Sequence, residues 1–260
     1  MDRKELKELY AEELALLKRI KGYSKEYPKN NLGRVEKVVL FLLYRILATV
    51  HSAWILTSAA YKAGNISFFQ LPIGILLRCS FTDCLFALYI QRVNNKRGAV
   101  EELDLRTFEY ANSLLERKEV YRDQVKSTWM GEDDDMIDNF WEMSMEDNFI
   151  HLLTFDENKK GLAVTKRSKE QMKDAGFSKT KSVGTKEQKD FLVQQEGLEE
   201  LATRLFHYYK YFSQYEHFSE NGQGDIFASL EENGNDNVHF PSAICALSAG
   251  VEELIKTCCP

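Results

Sequence analysis

Two stretches dominate the pattern of hydrophobic and polar positions. One is VVLFLLYRILATVHSAWILTSAAY (38–61), the other FFQLPIGILLRCSFTDCLFALYI (68–90). Both are apolar on nearly every side, as the central helices of a large bundle are. Only AGNIS (63–67) separates them, so helices over about 34–64 and 67–93 are predicted to pack as a buried, central antiparallel hairpin. Ser67 followed by Gln70 resembles a capping box, with Pro72 near the opening turn.

Elsewhere the helical period is amphipathic. In RKELKELYAEELALLKRIK (3–21), Leu6, Leu9, Leu14, Leu16, Leu17 and Ile20 line one stripe. That predicts an N-terminal helix, within segment 1–27, that docks on the body or on a partner. Pro28 and Gly33 then break the chain. Further helices are predicted over 99–127, 136–153, 188–219 and 241–257; in the last, Ala243, Ala246, Ala249 and Gly250 suit close approach to a neighbour. Residues 28–260 therefore read as one helical-bundle domain with a basic, partly flexible insertion at 158–189. That insertion carries ten Lys/Arg against three acids. The expected fold class is all-α.

Composition changes this picture little. Of the 260 residues, 44% are hydrophobic and 28% charged, enough for a real core. Only four prolines favour long helices over a turn-rich β fold. A net charge of −6 argues against a protein that coats nucleic acid. The five cysteines (79, 84, 245, 258, 259) form no C-x-x-C pair and read as reduced thiols. With the charged start MDRKELKEL, they point to the cytoplasm. The ending Cys258-Cys259-Pro260 is no prenylation box. Both apolar stretches are long enough to span a bilayer. Each nevertheless holds ionisable groups near its centre: Arg45 and His51 in one, Arg78 and Asp83 in the other. An ionised group there costs about 2.5–3.5 kcal/mol, so no membrane is expected.

Those same groups are the candidates for chemistry. Arg78 and Asp83, five apart, point about 140° from each other on a helix; they suit separate neighbouring helices better than each other. Structural ion pairs are the plainer reading, and an anion-binding Arg the sharper one. In LFHYYKYFSQYEHFS (205–219), Tyr209, Ser213 and His217 share one face. They could bind a ligand such as phosphate, or do acid–base work through His217 with Ser213 and Arg78. The plainer reading has them filling and bonding the interior. Arg45 and His51 match the R-x(4–6)-H spacing of HEPN ribonucleases, although six residues of helix place them on different faces. The acidic run Glu132-Asp133-Asp134-Asp135 reads as a solvated helix start. No His/Cys cluster has metal-site spacing, and neither a P-loop, a Rossmann glycine set nor a nucleophile elbow occurs; no metal or cofactor is expected.

Taken in order, LLRCSFTDCLFALYI, RSKEQMKDAGF and YYKYFSQYEHFS resemble an uncharacterised family of bacterial and phage helical proteins that is distantly HEPN-like. The resemblance spans roughly 35–255. Arg78, Tyr209, Ser213, His217 and Ser219 occupy its pattern. Thr82 stands where the family usually has Glu, and Asp83 comes one position late. Two expectations follow. The first is a cytosolic interaction or ligand-sensing module, with a second copy or another protein as partner. The second is a HEPN-like, metal-independent ribonuclease or toxin-like effector acting on RNA.

Overall fold

The computed structural model describes residues 33–63, 67–93, 98–107, 109, 181–216 and 239–258, with isolated residues 11, 14, 15, 18, 173 and 179. The described residues form helices and no strand. The helices are α1 (Arg34–Ala63), α2 (Ser67–Arg92), α3 (98–107), α4 (Thr185–Val193), α5 (Glu199–Glu216) and α6 (His239–Cys258). The all-α bundle read from the hydrophobic pattern is therefore the fold. Two compact units divide the chain, residues 1–96 with 184–260 and residues 97–183.

In the first unit α1 and α2 pair as the predicted hairpin. Arg45 lies 18 residues before Ala63 and Asp83 lies 16 after Ser67, and the two side chains meet at 3.1 Å. The pair sets Arg45 level with Asp83, two residues off equal distance from the turn, and fixes an antiparallel register. The centre, however, belongs to α2. Helices α1, α4, α5 and α6 all pack on it, and from Phe81 to Ile90 only Thr82 escapes full burial. Both helices are long and apolar enough to cross a membrane by length and composition. The apolar window of α2 is 72% buried within the protein, that of α1 only 33%. One side of α1 packs through Val39, Leu42, Leu43, Ile46, Val50 and Ala53; the other stands open.

Aromatic rings join α2 to α5. Phe81 stacks on Tyr208 at 5.5 Å and on Phe212 at 6.0 Å between centroids. Tyr89 meets Phe191 of α4 edge-on at 5.2 Å. Helix α6 closes the far side. Its Gly250 leaves room for Cys84 of α2 and Leu205 of α5, where a Cβ would collide with the Cys84 sulfur. Arg92 pairs with Glu253, and Gln91 donates to the Leu254 carbonyl at 3.4 Å.

The helix predicted over 188–219 is two helices. Gly197 takes φ +77°, a left-handed conformation that glycine adopts without steric cost, and the chain turns between Gln194 and Leu198 before α5 begins. Helical periodicity on both sides masked that corner.

In the second unit, side chains of α3 grip the backbone of residues 179–183. Glu102 accepts from Val183 N–H at 2.9 Å and Glu109 from Ser182 N–H at 2.8 Å. Arg106 donates to the Val183 carbonyl at 2.8 Å, and Glu101 accepts from Lys179 N–H. Burial pushes the Glu102 carboxyl above the usual carboxylate range, against the opposing pull of the Val183 amide, Arg106 and Lys179. The last residues of the basic stretch are thus anchored, and Thr185 to Lys189 already belong to α4. Its remainder lies outside the described residues apart from Lys173, as do the helix expected over 136–153 and the outer part of 99–127. Of segment 1–27, only Ala11, Leu14, Ala15 and Lys18 are described; all four are helical.

Candidate functional site

Arg78 of the first polar constellation meets Tyr209 and Ser213 of the second at the α2–α5 seam. Successive Tyr209 and Ser213, one turn apart on α5, face α2 at the level of Arg78. The Arg78 Nε–H donates to Ser213 Oγ at 3.2 Å, and its guanidinium lies 5.6 Å from the centroid of the Tyr209 ring. The Ser213 hydroxyl in turn donates to the Tyr209 carbonyl at 2.6 Å. Arg78, Tyr209 and Ser213 are all half-buried. A planar, weakly hydrated cation suits such a place, because it can stack and donate at once.

Asp83 takes no part in this cluster. It is buried and accepts from the half-exposed Arg45 of α1, whose guanidinium also lies 5.8 Å from the Phe41 ring. Five residues of helix thus send Arg78 to α5 and Asp83 to α1. Thr82, in the place the resemblance gives to Glu, donates to the Arg78 carbonyl at 3.1 Å. It offers the guanidinium no carboxylate. His217 and Ser219 lie outside the described residues, as does the acidic run 132–135. Arg45 and His51 both stand on the exposed side of α1, with His51 stacked 6.1 Å from Trp54.

The thiol beside Asp83 is chemically quiet. Burial, and to a lesser degree the Asp83 charge, push Cys84 up to about 12, so thiolate is scarce at neutral pH. Cys79 is half-buried, and Cys245 is exposed. Among the described residues no group of three His, Cys, Asp or Glu side chains could hold a metal ion. A wide groove of about 810 Å³ runs along the outer side of α5 and the preceding turn. It is lined by Gly197, Glu199, Glu200, Thr203, Arg204, His207 and Tyr208. It offers mixed charge and does not include the Arg78 cluster.

What the sequence reading missed lies on α1. Phe41 is 59% exposed, Ile55 48% and Tyr44 40%, and on α2 Leu71 and Ile75 are exposed as well. The signal was present: a helix apolar on every side has more apolar surface than one neighbouring helix can cover. Comparison of the chain with family models, curated proteins and solved structures finds no match.

If Arg78 is structural, Arg78→Lys should lower the unfolding free energy by about 1–2 kcal/mol. Lysine keeps the charge but loses the Nε–H bond and the planar stack. Urea titration monitored by circular dichroism measures this. Unchanged stability would mean that the guanidinium is held for a ligand rather than for the fold.

Proposed function

We propose that this protein is a cytosolic interaction module whose working surface is the outer side of α1. The observation that carries the reading is the exposure of Phe41, Tyr44 and Ile55 on a helix whose most apolar window is only a third buried. Large apolar side chains gathered on one helix side mark a surface that another molecule covers. The Arg78 cluster supports the same reading from within. Its guanidinium is bonded to Ser213 and stacked on Tyr209, so it braces α5 against α2. Asp83 engages Arg45 of α1 in the same structural manner. These protein partners for intrahelical charges, with the burial of α2, favour a soluble chain over a membrane hairpin. The ribonuclease alternative needs an Arg and a His converging on open surface; Arg78 is engaged by Ser213 and Tyr209, and Arg45, exposed on α1 with His51, is engaged by Asp83.

Site-specific photo-crosslinking in living cells tests the proposal. A photoreactive residue at Phe41 or Ile55 should give discrete protein adducts; one at exposed Thr203, on α5, should give none of the same mass. No adduct from either α1 position would overturn the reading.

A further inference from the structure

The exposed side of α1 has a self-complementary order. Phe41, Ala48 and Ile55 are spaced seven apart and all exposed, so they fall on one stripe with the small residue at its midpoint. Two such stripes laid antiparallel about Ala48 bring residue i of one chain against residue 96 − i of the other. Phe41 then faces Ile55 of the second copy in both halves of the seam, and Ala48 faces its own equivalent. Tyr44 falls opposite Ser52, again large against small.

We infer that the molecule docked on α1 is a second copy of this chain, joined across a two-fold axis at Ala48. The inference rests on α1 as the working surface. Charge agrees with it: Lys37 comes opposite Ala59, and Arg45, already neutralised by Asp83, comes opposite His51. The one like-charge approach, Arg34 with Lys62 of the second copy, falls at the two ends of the seam, where solvent screens it. A shift of one heptad costs more. In either sense, one large residue of each stripe has no partner and the small residue loses its place at the crossing. Close helix packing wants a small residue there, and a spacing of seven gives the shallow left-handed crossing of paired helices. Leu71 and Ile75 of α2, also exposed, stand level with Thr57 and Ala53 in the register that Arg45 and Asp83 set, within the length of the seam. The contact is isologous, closes on itself and leaves no open end for further copies.

Sedimentation of the purified full chain should give twice the 30.1 kDa chain mass. Ala48→Glu places two carboxylates together on the axis and should yield monomer at the same concentration, still fully helical by circular dichroism because position 48 is exposed. Phe41→Lys provides the same reading at a second position. The register has its own test. In a chain with Cys245, Cys258 and Cys259 changed to Ser, Ala48→Cys should cross-link to a covalent dimer under mild oxidation. Phe41→Cys alone should not, since two copies of position 41 lie about 21 Å apart along the seam. A monomer at every concentration, a dimer indifferent to Ala48→Glu, or Phe41→Cys cross-linking as well as Ala48→Cys would overturn the inference. Photo-adducts at Phe41 with a mass other than the dimer's would leave α1 as a docking surface and sink only the self-pairing.

Discussion

Replacing Phe81 with alanine is expected to cost about 3–5 kcal/mol, among the largest effects available to a single side chain in this fold. Phe81 is fully buried at the middle of α2, between Tyr208 and Phe212 of α5. Truncation removes the ring's burial and two stacking contacts at once. The flanking rings are held by their own helix, and Arg78 ties that helix to α2 one turn away, so the site cannot collapse to fill the space. Phe81→Leu should lose far less, about 1.5 kcal/mol, because most of the volume remains. Phe41→Ala is the contrasting case: the same chemical change on the 59% exposed side of α1 should alter the stability of one chain by about 0.5 kcal/mol or less. Urea titrations of the three variants separate these outcomes. A midpoint for Phe81→Ala equal to the wild type would mean that α5 does not pack on α2 as described.

How much of this could be read from the amino acids depended on the range of the interaction. Local periodicity gave the helices and the α1–α2 hairpin, because a short turn between two long apolar runs leaves few arrangements. It also gave the divergence of Arg78 and Asp83, which is a matter of helical angle alone. Which helix each would reach was not legible, since that depends on how α1 and α5 dock. Counting equal distances from Ala63 and Ser67 would have set Arg45 level with Leu85, two residues past the Asp83 that it reaches. The break at Gly197 was hidden for a different reason: one glycine tolerated within a helical pattern looks the same as one that turns the chain, until its φ is known. The clamp of Glu102, Arg106 and Glu109 on residues 182–183 has a visible helical spacing, but its target is backbone, which carries no sequence signature. The apolar runs announced burial on all sides, and packing met most of that demand for α2 and only a third of it for α1. The unmet part is where function is proposed.

Gly250→Ala should destabilise the chain by about 1–2 kcal/mol, although alanine is the better helix former. Two effects compete. Alanine in a helix interior gains up to about 1 kcal/mol over glycine. Against that, the new methyl group would meet the Cys84 sulfur head-on, with Leu205 in contact behind it at 3.4 Å. Both neighbours are fully buried in this structure, so neither has solvent to retreat into, and overpacking of this kind costs about 1–3 kcal/mol. Overpacking wins. The explanation has a sharper consequence in the double variant. With Cys84→Ala in place the obstructing sulfur is gone, and adding Gly250→Ala should then stabilise by up to about 1 kcal/mol, reversing the sign of the same substitution. Cys84 makes a clean probe because its thiol is too weakly acidic for a charge change to confuse the comparison. Unfolding midpoints of the wild type, both single variants and the double variant close the cycle. If Gly250→Ala were neutral, or equally harmful with and without the sulfur, the close approach of α6 to α2 would not be what glycine is there to permit.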